Sequence, residues 1–272
     1  MPTAPSPHTV LVAYLVEGAL LLAGLVLLWR LAAGPAARAR VRATPSPLAP
    51  WRPPTADFLL YLLVIVGGAL VGSAAVGSLA AWFGAAGDTR LILGTAGLQI
   101  GLMLAALLLP LRAAPNPVDP AALRSGAATF LVALPLVTGV TFLWTHVLQF
   151  CGVATDQQDI VRLFLEIKSP ALLALMIVLP TVVAPFGEEL LFRATLFRFL
   201  RGTALPRAVV LGLPAVIFAS FHLSLVAFAP LVILAVVFAL AFERTGRIGT
   251  TIVAHALFNL HTVVLLLAGL NS

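Results

Sequence analysis

A succession of long apolar segments limits what this chain can fold into more than any other feature. Eight of them lie at about residues 9–33, 56–82, 90–111, 124–149, 169–192, 207–223, 225–242 and 248–269. Runs of about 18 or more apolar residues can cross a bilayer as helices. Lipid offers no partners to backbone groups, so only helices and closed barrels span it, and unbroken apolar runs favour helices. The sequence therefore predicts an all-α polytopic membrane bundle of about eight transmembrane helices.

Composition supports a membrane protein and excludes several other classes. The chain is 61% apolar and 10% charged, whereas a soluble domain has about 25% charged residues. Cys151 is the only cysteine, which excludes an intrachain disulfide and CxxC-type sites. The net charge of +6 is spread over the linkers rather than over one face. We therefore expect the lipid bilayer, and no nucleic acid, as a partner.

The basic residues also predict an orientation. With eight spans, the first, third, fifth and seventh linkers share one side, and with their flanking helix ends they hold thirteen of the sixteen basic residues. The other side holds Arg90, Arg162 and Lys168. Because basic linkers stay in the cytoplasm, we expect both termini outside it. Fifteen of the sixteen are arginine, which is typical of GC-rich bacterial genomes, so the bacterial inner membrane is the expected location.

Two adjacent acids and an arginine stand at the end of the fifth apolar segment, as Glu188, Glu189 and Arg193. Charged groups at membrane depth cost roughly 2.5–3.5 kcal/mol each and mark functional sites there. Glu189 and Arg193 are four residues apart, so they share a helix face and are predicted to pair. Glu188 lies about 100° around the helix. We expect Glu189 to brace the site and Glu188 to be free to act as a general base.

Pro180, Pro185 and Gly187 precede these acids. The prolines have two interpretations that the sequence leaves open. They could be ordinary prolines of a membrane helix, or they could bend the segment and turn Glu188 toward a water-filled cavity.

Further polar groups recur at helical spacing in the later segments. Phe218 precedes His222 by four residues, and His255 precedes Asn259 by four, so each pair shares a helix face. Glu188 lies ~20 Å before the turn expected near residues 202–206, and His222 ~23 Å after it. His255 and Asn259 lie ~12 and ~18 Å beyond Arg247, so the three segments can converge. By contrast, three other polar residues are expected to serve packing alone: Glu17, His146 and His261.

The set of motifs EExxxR, FxxxH and HxxxN, in this order, resembles the CPBP family of intramembrane proteases, which includes the type II CAAX prenyl endopeptidases. The matching residues are Glu188, Glu189 and Arg193, then Phe218 and His222, then His255 and Asn259. The resemblance covers residues 169–268, the expected catalytic core. Residues 1–168 are expected to form additional transmembrane helices of unassigned role.

The resemblance implies hydrolysis of a peptide bond within or near the membrane. Glu188 would activate a water with help from His222, His255 and Asn259 would hydrogen-bond the oxyanion, and Glu189 with Arg193 and Phe218 would support the site. The family is often labelled metalloprotease, and Glu188, His222 and His255 could hold zinc with an open position. The same residues could also act without a metal, which is the arrangement we favour.

Other assignments are weaker. The sequence lacks HExxH, GxGD and GxSG, the motifs of the other intramembrane protease classes. A non-catalytic immunity or scaffold protein that retains the polar core is the main alternative. A small transporter fits less well because no inverted repeat is visible. The expected substrate is a peptide or a membrane protein.

Overall fold

The structure, a computed structural model, describes residues 6–49, 51–108, 119–155, 164 and 167–269. Within these residues it contains nine helices and no strand, which confirms the predicted all-α membrane bundle. The helices are α1 (Pro7–Leu28, continued by a π-helical turn Trp29–Ala33), α2 (Pro35–Ala43), α3 (Thr55–Trp82), α4 (Gly87–Leu108), α5 (Pro120–Phe150), α6 (Pro170–Arg201), α7 (Arg207–Ser220), α8 (Leu225–Thr245) and α9 (Ile248–Leu267).

Seven of the eight predicted spans are helices long and apolar enough to cross a membrane. The exception is the segment predicted at 207–223, which forms α7 with only 14 residues. A helix of that length measures about 21 Å, less than the ~30 Å of a hydrocarbon core. Arg207 at the start of α7 is ion-paired with Glu243 near the end of α8. The two helices therefore form an antiparallel hairpin.

Local capping explains where several helices begin and end. Hydroxyl or carboxyl oxygens of Ser6, Asp119, Ser169 and Ser224 each accept a hydrogen bond from a backbone N–H in the first turn that follows. Such caps satisfy N–H groups that have no partner within the helix. At the other end of α8, Gly246 adopts the left-handed conformation (φ 64°) that ends a helix.

The arginine-rich linkers meet at one end of the bundle. The Glu243 carboxylate accepts hydrogen bonds from Arg201 at 3.0 Å and from Arg207 at 2.7 Å, which joins the α6–α7 linker to α8. Arg247, in the α8–α9 linker, pairs with Asp119 at the start of α5. These contacts place these linkers at the same end of the bundle.

Asp119 lies just outside the spanning helix α5 and links it to the α8–α9 turn. Its carboxyl accepts a hydrogen bond of 2.6 Å from the Ala122 N–H and pairs with Arg247. The Ala122 hydrogen bond and the Arg247 guanidinium hold the pKa of Asp119 below its ordinary value. The group is therefore charged at neutral pH.

Helices α3 and α4 pack backbone to backbone through glycines. A Cβ atom at Gly72 would lie 2.2 Å from the carbonyl oxygen of Gly97, and one at Gly97 would lie 2.3 Å from that of Gly72. One turn away, a Cβ at Gly101 would lie 2.2 Å from the carbonyl oxygen of Gly68. Small residues at four-residue spacing are the usual means by which membrane helices approach closely.

The second half of α6 is the centre of the bundle. All eight residues of its π-helical stretch Leu190–Phe197 are buried. A helix that is enclosed on every side belongs to a core rather than to the lipid surface. Polar groups on this stretch must therefore find their partners within the protein.

We expect Gly72→Ala to destabilise the protein by about 1–3 kcal/mol, because the added methyl group overlaps the backbone of α4. Thermal unfolding in lipid nanodiscs measures the effect. The matched control is Gly67→Ala in the same helix, where an added Cβ has no neighbour within 4 Å. Equal melting temperatures for the two variants would contradict the close packing.

Candidate active site

A buried ion pair on α6 forms the base of the site. The Arg193 Nη1 donates to Glu189 Oε1 at 2.9 Å, and the side chains are 2% and 0% exposed. The pair predicted from the four-residue spacing is thus present. A charge at this depth requires such a partner, because desolvation of an isolated ion costs several kcal/mol by rough estimate.

Arg193 also joins α6 to the α7–α8 hairpin. Its Nη2 donates to the Ala235 carbonyl oxygen at 3.3 Å. Its guanidinium carbon lies 4.9 Å from the centre of the Phe218 ring and 5.4 Å from that of Phe238. Aromatic faces attract a desolvated cation. Arg193 therefore links its own helix, α6, to α7 and α8.

His255 on α9 is held between the two acids. Its Nδ1 lies 2.9 Å from Glu189 Oε1, the same oxygen that Arg193 contacts. Because a carboxylate can only accept, we assign the proton to Nδ1, which directs Nε2 toward Glu188. The Nε2 atom lies 3.8 Å from Glu188 Oε2. The imidazole is therefore oriented by one acid and faces the other.

Glu188 is the more accessible acid. Its side chain is 15% exposed, against 0% for Glu189. Its Oε1 accepts a hydrogen bond of 3.0 Å from Gln99 Nε2 on α4, and its Oε2 faces His255. The two acids thus differ in surroundings as the helical angle predicts. The catalytic role of Glu188 stays a prediction.

Asn259 donates from Nδ2 to the Pro180 carbonyl oxygen at 2.7 Å. The helix cannot satisfy that oxygen, since the Ala184 N–H bonds instead to Leu179 and Pro185 has no N–H. The π-helical turn Leu179–Val183 contains Pro180 and ends just before Ala184 and Pro185, and its free Pro180 carbonyl binds α9. The Asn259 amide retains a second N–H.

His222 lies at the end of α7 and is exposed. Its Nδ1 lies 2.9 Å from the Phe218 carbonyl oxygen, so Nδ1 carries the proton and Nε2 keeps its lone pair. The Phe218 ring contacts both histidines. Its centroid lies 4.8 Å from that of the His222 ring and 6.0 Å from that of the His255 ring. In the described part of the chain, His222 makes no hydrogen bond with Glu188.

The local geometry of His222 is not unique to it. On α5, His146 Nδ1 lies 2.8 Å from the Phe142 carbonyl oxygen, and the two rings are 4.3 Å apart. In both FxxxH sequences, the histidine Nδ1 therefore donates to the carbonyl oxygen of the phenylalanine four residues earlier. His222 differs from His146 in lying beside the ring that contacts Arg193.

The structure brings together Glu188, Glu189, Arg193, Phe218 and His255, and places Asn259 one turn from His255. It does not assemble the three-ligand set considered for zinc, Glu188, His222 and His255. Among the described residues, no group of three or more histidine, cysteine, aspartate or glutamate residues is placed to hold a metal ion. These donors therefore do not fit a three-ligand metal site.

Two contact residues were missed by the sequence analysis. Gln99 is the only amide side chain in its apolar segment, and that isolated polarity is a signal that could have identified it. Phe238 is one apolar residue among many in α8, and no pattern distinguishes it. Both contacts join segments that are distant in sequence.

Glu17 and His261, which were expected to serve packing alone, bond to each other. Their Oε2 and Nε2 atoms are 2.8 Å apart, and they link α1 to α9. The pair lines a separate cavity of about 500 Å³ between α1, α5, α8 and α9. It takes no part in the Glu188 site.

Loss of the buried Arg193 guanidinium should lower the free energy of unfolding. We expect Arg193→Met to destabilise the protein by about 3–5 kcal/mol, because Glu189 would stay buried without its guanidinium partner. The control is Arg207→Ala, whose side chain is 65% exposed and whose partner Glu243 keeps Arg201. That variant should change stability by less than about 1 kcal/mol. Unfolding temperatures in nanodiscs compare them, and similar small shifts would contradict the bracing role.

Comparison with protein-family models gives a match to part of the chain. Residues 170–261, about a third of the chain, match the family model described as type II CAAX prenyl endopeptidase Rce1-like. No curated protein and no solved structure matches the chain. The matched segment runs from the start of α6 into α9 and contains both acids, Arg193, Phe218, both histidines of the motifs and Asn259. The resemblance to the CPBP and CAAX protease family that the motifs indicated is therefore confirmed for residues 170–261.

Proposed function

We propose that this chain is an integral membrane endopeptidase that hydrolyses a peptide bond within or near the membrane. The observation that supports it most is the opposition of Glu188 Oε2 and His255 Nε2 at 3.8 Å. The gap is too long for a good direct hydrogen bond and is one that a small polar molecule such as water can bridge. An accessible carboxylate and an oriented imidazole then flank the reacting atoms.

In the proposed reaction, Glu188 is the general base. A water bound to its Oε2 attacks the carbonyl carbon of the scissile bond while the carboxylate takes one of the water protons. The new C–O bond forms as the carbonyl π electrons move to oxygen. Collapse of this intermediate breaks the C–N bond, and Glu188 returns its proton to the leaving nitrogen. The products are a carboxylic acid and an amine.

His255 and Asn259 are the proposed donors to the oxyanion. When both ring nitrogens carry a proton, Nδ1 of His255 donates to Glu189 and Nε2 donates to the developing negative charge. Asn259 has a second N–H beyond the one bonded to Pro180. Donors that are already held in place cost little reorganisation during the reaction.

His222 is proposed to act at the edge of the site. Its Nε2 lone pair is exposed, since Nδ1 donates to Phe218. There it can accept a hydrogen bond from the water or from the substrate. We propose that it assists Glu188 only once substrate is bound.

The proposed substrate is a peptide, a bacteriocin-like precursor or the tail of a membrane protein, in a bacterial inner membrane. The arginine-rich end of the bundle would face the cytoplasm. Both termini are proposed on the opposite side, because the short α7 runs antiparallel to α8 and so counts as one crossing. Comparing membrane proteomes of cells with wild-type protein and with Glu188→Gln should reveal peptides that accumulate uncut in the variant. Sequences around the cleaved bond then supply an internally quenched peptide for assays.

We expect Glu188→Gln to lower kcat on that peptide by about 10³-fold or more, because the base is lost, and His222→Ala by about 10²-fold. The control is His146→Ala, which removes an imidazole of the same local geometry and should leave the rate within about two-fold. Folding is checked by thermal unfolding of each variant in nanodiscs. Full activity in Glu188→Gln would refute the enzyme and favour a non-catalytic immunity or scaffold protein.

Metal removal provides a separate test. We expect cleavage by the purified protein to stay within about two-fold after exhaustive chelation and metal analysis of the sample. The expected reason is that Glu188 alone can supply the base. Complete loss of cleavage, with recovery on addition of zinc, would contradict the metal-free reaction.

A further inference from the structure

A residue outside the matched domain contacts the proposed base. Gln99 lies on α4, well before residue 170, and its Nε2 donates to Glu188 Oε1 at 3.0 Å. A carboxylate oxygen only accepts hydrogen bonds, so the amide nitrogen, not the amide oxygen, must face Glu188. The Gln99 Oε1 atom is buried and has no hydrogen-bond partner among the described residues. Among the described residues, the hydrogen bond to Glu188 is therefore the one that the Gln99 side chain makes.

The packing of α4 against α6 makes this contact possible. At Gly187, directly before Glu188, a Cβ atom would lie 2.5 Å from Leu102 Cδ2 and 3.7 Å from Gln99 Oε1. The absence of a side chain at Gly187 lets α4 approach the helix that carries the acids. Gln99 therefore reaches Glu188 through close helix packing rather than through a flexible loop.

The contact has a consequence for the carboxyl group. Rotation of a glutamate carboxyl about its last bond is broad and roughly two-fold, so little intrinsic preference holds its plane. With Oε1 bonded to Gln99, Oε2 is the oxygen directed toward His255 Nε2. The other charged groups near Glu188 are Glu189 and Arg193 on α6 and His255 on α9, and His222 on α7 lies beyond Phe218. None of these bonds Oε1.

We propose that Gln99 is a positioning residue that holds the Glu188 carboxylate in the orientation required of a general base. This inference rests on the proposed function of Glu188. It assigns a role in catalysis to α4, so the helices before residue 170 do more than anchor the matched domain. Its effect is on the chemical step, since near-attack geometry governs the rate more than the binding of substrate.

The first experiment separates positioning from binding. Gln99→Leu keeps a similar volume without the amide, and it should lower kcat on the quenched peptide by about 10–100-fold while KM stays within about three-fold. The matched control is Thr95→Val, one turn earlier on α4, where the exposed hydroxyl donates only to the Leu91 carbonyl oxygen. It should leave both constants unchanged. A wild-type kcat for Gln99→Leu, or an equal fall for Thr95→Val, would overturn the proposal.

The second experiment tests the contact without any activity. Gln99→Glu places two carboxylates face to face and should lower the unfolding temperature in nanodiscs. Adding Glu188→Gln restores a carboxylate–amide pair in reverse order, and the double variant should recover most of the loss. No recovery would overturn the contact. If Glu188→Gln alone retained full cleavage, the proposed function would fail, while recovery in the double variant would still establish the contact.

Discussion

The buried pair of Glu189 and Arg193 is the interaction on which the rest of the site depends. It places opposite charges in the most enclosed part of α6, where neither can be solvated. The acid orients His255, and the arginine contacts Phe218, Phe238 and the backbone of α8. One ion pair thus fixes the relative positions of α6, α7, α8 and α9. Replacing a buried pair by apolar residues is often neutral for stability, whereas leaving one charge unpaired is costly.

Irregular helix geometry extends this arrangement. The Ala184 N–H bonds to Leu179 and Pro185 has no N–H, so the Pro180 carbonyl has no donor within α6, and Asn259 supplies one from α9. A second π-helical stretch, Leu190–Phe197, follows the acids directly. π-helical segments within α-helices are frequent at functional sites because they redirect side chains. Here they lie on both sides of Glu188 and Glu189.

The region before the matched domain is joined to it by polar contacts as well as by packing. Gln99 bonds Glu188, Glu17 bonds His261, and Asp119 pairs with Arg247. Each contact crosses from a helix before residue 170 to one after it, or to the linker beside it. The first lies at the site itself, the second at a separate cavity and the third at the arginine-rich end. The N-terminal helices are therefore part of one bundle with the domain.

The sequence by itself determined the membrane class, the helical segments and the Glu189–Arg193 pair, because these depend on hydrophobic length and on spacing along one helix. It also identified five of the residues that meet at the site: Glu188, Glu189, Arg193, Phe218 and His255. Only the tertiary structure decided that Arg207 at the start of α7 pairs with Glu243, that Asn259 bonds Pro180 and that Gln99 bonds Glu188. These features depend on how helices distant in sequence pack against each other, which spacing along one segment does not encode. His222 is a further example. The FxxxH spacing accounts for the hydrogen bond from its Nδ1 to the Phe218 carbonyl, which His146 also makes to Phe142, but only packing determines which other residues lie beside the ring.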